Sequence, residues 1–205
     1  MMRYFDNLII RKMNKLLKNI EKYKIVLASQ SPRRQELLRG LQVEFSVKVM
    51  DVDETYPSDI VGVDIPMFLA EKKADAYIID DETLLITADT IVWHEGQVLG
   101  KPRDKADAKR MLKQLSGKTH EVITGVCICT TKKRKVFHVI SEVRFASLAE
   151  SEIDYYLENF KPYDKAGSYG VQEWIGYVGV EHIEGSYFNV MGLPIQRVYN
   201  ELKRW

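Results

Sequence analysis

The chain has 205 residues, of which 45% are hydrophobic and 29% are charged. This composition is typical of a folded protein with one large domain or two small lobes around a cleft, and it excludes disordered and fibrous classes. Thirty Lys and Arg balance 29 Asp and Glu, for a net charge of +1. No overall field therefore attracts nucleic acid or an anionic membrane, and any anion site must be local.

Residues 1–23 are predicted to form an N-terminal helical extension to a domain spanning residues 24–205. Their longest uninterrupted apolar run is Leu8, Ile9 and Ile10, shorter than the roughly 7 to 15 residues of a signal-peptide core, so we expect a cytoplasmic protein. Apolar residues at helical spacing predict an amphipathic helix; they are Ile9, Met13, Leu16, Leu17 and Ile20. Packing on the body, a basic face for membrane or RNA, and a start at Met13 remain alternatives.

The first half of the domain alternates strands and helices. A buried strand at residues 25–28 leads into a helix that Ser31 caps, Pro32 begins and Gly40 ends. A strand at 43–49, an acidic loop and a longer helix around 68–74 follow. A second buried strand at 84–87 continues through the polar residues Asp89 and Thr90 to residue 93.

The second half is richer in β-structure. Asp104 is a plausible cap for a helix that Gly117 ends, and residues 120–131 and 136–148 form a long hairpin around a basic turn. A helix at 150–160, a loop at 167–170 and a final helix opened by Pro194 complete the chain. This order predicts an α/β or α+β fold with a mixed, partly antiparallel sheet. Cys127 and Cys129 lack zinc spacing and are expected to be small apolar residues.

The segment from Ser29 to Arg34 is a candidate anion site. It places Arg33 and Arg34 on the first turn of a helix with free backbone N–H groups. Arginine opposes the helix dipole there, so two together favour an anionic partner. The alternative is a capped helix with solvated arginines.

Asp89 and Glu54 form a candidate acidic pair beside that site. Carboxylates repel phosphates unless a cation intervenes, and Mg²⁺ binds through one or two carboxylates plus substrate oxygens. One carboxylate can then activate water. Taken alone, Asp89 fits a turn cap, and Lys73 and Lys101 fit solvated surface lysines. Gln172 lies in a glycine-containing stretch that reads as a tight loop or a base reader.

Several other chemistries lack their motifs. The sequence contains no GxxxxGK[ST] loop, no GxGxxG after a strand and no GxSxG elbow. Its four histidines are scattered without zinc spacing. Nucleotide binding through the usual glycine-rich cradles, serine acyl transfer and zinc hydrolysis therefore have little support.

Four motifs in order closely resemble the Maf family of nucleotide pyrophosphatases over residues 25–202. They are LASQSPRRQELL, ADTIV followed by LGKPRD, LSGKTHEVITGV and DKAGSYGVQ. The resemblance implies a fold related to inosine triphosphate pyrophosphatases, with two lobes around a central cleft, commonly as a homodimer. It also implies cleavage between the α and β phosphates of a nucleoside triphosphate with Mg²⁺ or Mn²⁺.

The same resemblance assigns roles to residues. Arg33 and Arg34 match phosphate-binding arginines, Lys73 and Lys101 match charge-stabilising lysines, and Glu54 and Asp89 match the acidic pair, with Asp89 as proton acceptor. Substrate-binding residues expected from the motifs are Ser29, Arg33, Arg34, Thr90 and Gln172; catalytic and metal-binding residues are Asp89, Glu54, Lys101 and Lys73, the metal being held by Asp89 and Glu54.

Arg33, Thr90 and Gln172 resemble the branch that acts on dTTP and UTP, whereas the branch acting on a methylated guanine nucleotide resembles Trp, Gln and Glu there. Modified nucleotides remain an alternative substrate class. A module that binds nucleotides or RNA without cutting them is a further alternative, although the acidic pair disfavours it. We expect neither nucleic acid nor a membrane as a partner.

Overall fold

A computed structural model describes residues 15–205 and contains one mixed sheet of seven strands within them. The strands are β1 (Lys24–Leu27), β2 (Phe45–Val47), β3 (Thr83–His94), β4 (Gln97–Leu99), β5 (Thr119–Cys129), β6 (Arg134–Phe145) and β7 (Val180–Glu184). Their order is β2-β1-β3-β5-β6-β7, with β4 also beside β3. β1 runs parallel to β2 and β3, and the remaining pairs are antiparallel. The predicted mixed α/β class is confirmed.

Helices cover both faces of this sheet. They are α1 (Pro32–Arg39), α2 (Asp64–Asp75), α3 (Lys105–Leu115), α4 (Glu150–Phe160), α5 (Trp174–Gly179), α6 (Tyr187–Val190) and α7 (Ile195–Lys203), with 3-10 turns at Lys15–Ile20 and Ala166–Ser168. Ser31 and Asp104 cap α1 and α3 through their side chains, as predicted. Strand β2 is shorter than predicted, and the sequence analysis missed α5, β7 and α6, which are too short for a clear periodicity.

Two hydrophobic cores share one face of the sheet. Leu84 and Ile86 of β3 belong to the first core, under α1 and α7, and Val92 belongs to the second, under α3 and α4. The opposite face is covered by α2 and includes the buried free thiols of Cys127 and Cys129. Since β3, β5 and β6 run through both halves, the two lobes are held by continuous strands.

The described part of the N-terminal segment packs on the first core. Leu17 and Ile20 are buried, and Asn19 Nδ2 donates to the Leu202 carbonyl at 2.6 Å. Leu16 is exposed, and the short 3-10 turn replaces the end of the predicted amphipathic helix. Ile9 and Met13 of that helix lie outside the described residues. The division at residue 23 stays a prediction, and among residues 15–205 no helix has the length and apolarity to cross a membrane.

Among the described residues, no strand pairs with the middle of one edge of β3, and we call this part of the strand its bare edge. β1 ends its pairing with β3 at Leu27 and Ile86, and β4 begins its pairing at Leu99 and Val92. On the other edge, β5 pairs with β3 without interruption from residue 85 to residue 93. Within the described chain, the residues of β3 between β1 and β4 therefore face a gap rather than a strand.

Gly125 allows α2 to approach the sheet opposite that gap. It is the β5 partner of Asp89, and a Cβ placed on it would lie 2.3 Å from the Pro66 carbonyl group in the first turn of α2. The same helix carries Lys73, near its C-terminal end, to within 2.5 Å of Asp89. The close contact at Gly125 thus sets the distance between helix and strand that the Lys73–Asp89 pair uses.

We predict that Gly125→Ala lowers the free energy of unfolding by about 1–3 kcal/mol, the usual cost of overpacking. The added Cβ meets backbone atoms of α2, and these cannot move aside as a flexible side chain can. Chemical denaturation would measure it. Gly100→Ala is the matched control, since a Cβ there meets no atom within 4 Å, and its stability should match the wild type. Equal stability of the Gly125→Ala variant would contradict the close helix contact.

We also predict a pH-dependent stability that originates at His120. This residue is buried, and its Nε2 atom lies 2.7 Å from the Tyr169 hydroxyl. Burial is the main cause, and the nearby His94 the smaller cause, that lowers the pKa of His120 from 6.5 to about 3. Between these values the unfolded chain binds more protons than the folded chain, so the free energy of unfolding should fall as pH decreases from about 6.5 toward 3.

Denaturation at a series of pH values would test this prediction. His120→Gln should flatten the dependence, while His182→Gln, at an exposed histidine, should leave it unchanged. An identical slope for the wild type and His120→Gln would remove His120 as the source.

Candidate functional site

A cleft of about 760 Å³ opens at the bare edge of β3, between the two cores. Its size lies in the range of ligand pockets. All nine predicted site residues line it; they are Ser29, Arg33, Arg34, Glu54, Lys73, Asp89, Thr90, Lys101 and Gln172. Segments that are far apart in the sequence thus meet in one cavity.

Two carboxylates and two lysines form a connected cluster on one side of the cleft. Lys73 Nζ lies 2.5 Å from Asp89 Oδ1 and 2.8 Å from Glu54 Oε1, and Lys101 Nζ lies 3.2 Å from Glu54 Oε2. Asp89 and Lys73 are the more enclosed members, with 11% and 16% of their side chains exposed. The four charges sum to zero, so the two carboxylates add no net negative charge to this side of the cleft.

Glu54 is held in its ionised form by this cluster. Burial opposes ionisation, but hydrogen bonds and charges from Lys73 and then Lys101 outweigh it and lower the pKa of the Glu54 carboxyl. Glu54 lies on the long loop between β2 and α2. The two lysines therefore fix a loop residue as a carboxylate beside a strand residue.

The donor set at this cluster fits a hard divalent cation only in part. In the described residues, no three His, Cys, Asp or Glu side chains are grouped to hold a metal. Glu54 and Asp89 supply two carboxylates, and Mg²⁺ in proteins commonly uses one or two of these together with substrate phosphate oxygens. A cation that uses both carboxylates would therefore complete its coordination with substrate and water oxygens.

Arg34 is anchored by the protein itself. Its Nε donates to the Gly192 carbonyl at 2.7 Å, Nη1 donates to the Ala88 carbonyl at 2.8 Å, and Nη2 donates to the Thr90 hydroxyl at 3.0 Å. Burial lowers its pKa, while the charge of Asp89 opposes that effect. The guanidinium thus satisfies a carbonyl on the bare edge of β3 and ties that edge to α1 and to residue 192.

Thr90 continues a chain of hydrogen bonds from Arg34. The Thr90 and Thr124 hydroxyls are 2.9 Å apart, and Thr124 Oγ1 donates to the Asn189 carbonyl at 3.2 Å. Thr90 Oγ1 accepts from Arg34, and its own proton has two acceptors within reach, Thr124 Oγ1 at 2.9 Å and the Gly192 carbonyl at 3.4 Å. The Thr90 hydroxyl proton is therefore committed within the protein, and Thr90 contributes shape to the cleft.

The side chains of Asp89 and Thr90 contact helices on opposite faces of the sheet. Successive residues of a strand point to opposite faces, so Asp89 meets Lys73 of α2 whereas Thr90 meets Arg34 of α1. Because neither residue has a strand neighbour on the bare edge, both still border the cleft.

Residues 164–173 form a segment that we call the 164–173 loop. Gln172 belongs to this loop, and Arg33 contacts it. Arg33 Nη1 lies 3.1 Å from Asp164 Oδ2. The Gln172 Oε1 atom is buried and has no hydrogen-bond partner in residues 15–205. An unpaired buried acceptor is costly, so this amide favours a ligand that donates a hydrogen bond.

Sequence reasoning did not assign several residues of the cleft. Asp164, Lys165, Tyr169 and the Gly192 carbonyl were missed. Asp164 and Lys165 begin the motif that contains Gln172, so their position in the chain was an available signal. No local pattern indicated Gly192, because only the folded chain brings residue 192 to Arg34.

Comparisons with known proteins match nearly the whole chain. The model of the family described as Maf-like protein matches residues 24–205. A dTTP/UTP pyrophosphatase of Bacteroides fragilis is 61% identical over 92% of this chain and its own full length, and one of Phocaeicola vulgatus is 56% identical over the same shares.

A solved structure of a HAM1 protein from Coxiella burnetii is similar over 89% of this chain and 100% of its own, with 18% identity and a TM-score of 0.49. The family model and the two relatives cover nearly the whole chain, and the motifs of the cleft fall inside the matched region. The chain belongs to the Maf-like protein family.

Proposed function

We propose that this protein hydrolyses dTTP and UTP to the nucleoside monophosphate and pyrophosphate. The observation that carries the proposal is the Asp89–Lys73–Glu54–Lys101 cluster on one side of a nucleotide-sized cleft. The names of the two relatives support the substrate and the reaction. Homodimer formation stays a prediction from the family resemblance, and a cytoplasmic location stays a prediction from the short apolar runs of residues 1–23.

The catalytic roles follow from the positions of the charges. Lys73 and Lys101 can attract the phosphates and stabilise the charge that develops as the bond between the α phosphorus and the bridging oxygen breaks. Asp89 is the enclosed carboxylate that can accept the proton of the attacking water. Pyrophosphate then leaves from the side of the two lysines.

We propose that Glu54 and Asp89 also hold Mg²⁺ or Mn²⁺. The support is the pair of hard carboxylate oxygens, which suits either ion in company with phosphate oxygens. A bound cation would supply neutralising charge to the phosphates. Lys73 contacts both carboxylates in the structure, so it links the two side chains that would hold the cation.

The base preference is assigned to the opposite side of the cleft. The buried Gln172 Oε1 can accept from N3–H of uracil or thymine while its amide N–H donates to O4. Thr90, whose hydroxyl has hydrogen-bond partners within the protein, leaves a small surface that can accommodate the thymine methyl. Both observations support similar handling of dTTP and UTP.

We predict that Asp89→Asn reduces kcat by about 10²- to 10⁴-fold, the usual effect of losing a general base, while nucleotide binding persists because repulsion of the phosphates is relieved. Chromatography would follow monophosphate and pyrophosphate. Asp53→Asn is the matched control, because its carboxylate contacts Thr55 and Lys72 instead, and it should stay within a few-fold of the wild type. Near-normal turnover by Asp89→Asn, or diphosphate as the first product, would overturn the mechanism.

We predict that wild-type kcat/KM for dTTP and UTP exceeds that for dCTP, ATP and GTP by at least about tenfold, or about 1.4 kcal/mol, within reach of a pair of satisfied hydrogen bonds. Gln172→Glu should reduce this preference, since a carboxylate cannot donate to O4. Competition between paired nucleotides measures the ratio. A preference for 7-methyl-GTP, or an unchanged ranking in Gln172→Glu, would remove the pyrimidine assignment and leave the pyrophosphatase assignment intact.

A further inference from the structure

Lys165 is a largely buried lysine in the cleft wall that the proposed mechanism does not use. Its side chain is 9% exposed, and its Nζ atom lies 2.7 Å from Asp164 Oδ1 and 3.0 Å from Glu173 Oε1. A lysine this enclosed is rare unless it is paired. Its ammonium group therefore donates a hydrogen bond to Asp164 and forms an ion pair with Glu173.

Each of those carboxylates adjoins a residue of the base-binding side. Asp164 uses its other oxygen, Oδ2, on Arg33 Nη1. Glu173 directly follows Gln172 in the chain. Lys165 is thus the shared ionic partner between the residue that holds Arg33 and the neighbour of Gln172.

Glu173 is clamped at its second oxygen as well. The buried Tyr156 hydroxyl donates to Glu173 Oε2 and accepts from the Gly170 N–H at 3.0 Å. The Glu173 N–H donates to the Gly170 carbonyl at 2.9 Å. Side chain and backbone of Glu173 therefore close the turn that contains Gln172.

The start of the 164–173 loop is tied to the catalytic side. The Gly167 N–H donates to the Gly100 carbonyl at 3.1 Å, next to Lys101. Gly167 has a φ of +67°, and a Cβ there would lie 2.8 Å from Val92 Cγ2. The backbone of the loop thus has one close-fitting position against β3.

The Gln172 amide needs such support from elsewhere, because its Oε1 atom has no partner in residues 15–205. A flipped amide would present a donor and acceptor pattern that fits cytosine, so discrimination depends on how residue 172 is held. The clamp on Glu173 is the constraint nearest to it.

We propose that Lys165 is a positioning residue that, through Asp164 and Glu173, holds Arg33 and Gln172 in register and so sets base discrimination. This inference rests on the proposed function. Asp164 is ionised in this arrangement, because hydrogen bonds from Lys165 and Arg33 outweigh the opposing effect of burial and lower its pKa. Loss of the Lys165 charge leaves Glu173 with Tyr156 alone, and the turn loses its link to Arg33.

The test compares the ratio of kcat/KM for UTP to that for CTP in Lys165→Met, Lys165→Arg and Tyr156→Phe. A ratio is independent of the fraction of folded enzyme, so a merely structural role does not move it. We expect Lys165→Met to lower the ratio at least about fivefold, chiefly through KM for UTP. Lys165→Arg should restore part of it, and Tyr156→Phe should lower it in the same direction by less.

Lys135→Met, at an exposed lysine of β6, is the matched control and should keep the wild-type ratio. A ratio within twofold of the wild type in Lys165→Met, or equal losses in the Met and Arg variants, overturns the inference while the proposed function stands. A wild type that does not prefer UTP overturns the proposed function, and this inference with it.

Discussion

The bare middle of β3 is the constraint on which the rest of the site depends. An interior strand of a sheet normally has both edges paired, and an unpaired buried carbonyl or N–H is costly. Here the pairing of β1 with β3 ends at residue 86, and the pairing of β4 with β3 begins at residue 92. Between these positions, Arg34 Nη1 donates a hydrogen bond to the Ala88 carbonyl. The cleft exists because the sheet is interrupted on one edge and continuous, through β5, on the other.

That interruption places two kinds of chemistry on adjacent residues. Asp89 joins the lysines beneath α2, whereas Thr90 joins the hydrogen-bond chain from Arg34 to Asn189. The alternation of strand side chains separates the carboxylate–lysine cluster from the hydrogen-bonded hydroxyl of Thr90 within one residue step.

Four cations and four carboxylates in and beside the cleft are arranged in ion pairs, whereas Arg34 is held by neutral acceptors. The lysines Lys73 and Lys101 face Glu54 and Asp89, and Arg33 and Lys165 face Asp164 and Glu173. A buried charge without a partner is strongly unfavourable, so each pair stabilises the loop that carries it. The two sets are joined by the hydrogen bond between Gly167 and Gly100, so the 164–173 loop is tied at its start to the segment that carries Lys101.

The sequence by itself determined the class of the fold, most element positions and nine of the residues that line the cleft. Strong local signals carried this information: a cap and a proline at the start of α1, apolar runs for β1 and β3, and long motifs that resemble one family.

The tertiary structure alone decided how these residues are used. Arg34 donates to three acceptors that lie 54 to 158 residues away in the chain. Lys165 contacts the carboxylates of both Asp164 and Glu173. The short elements between residues 174 and 190 also escaped prediction. Periodicity reports which face of an element is buried, but the partner of a charged or hydrogen-bonding group depends on contacts between distant segments, and a single sequence holds no local record of these.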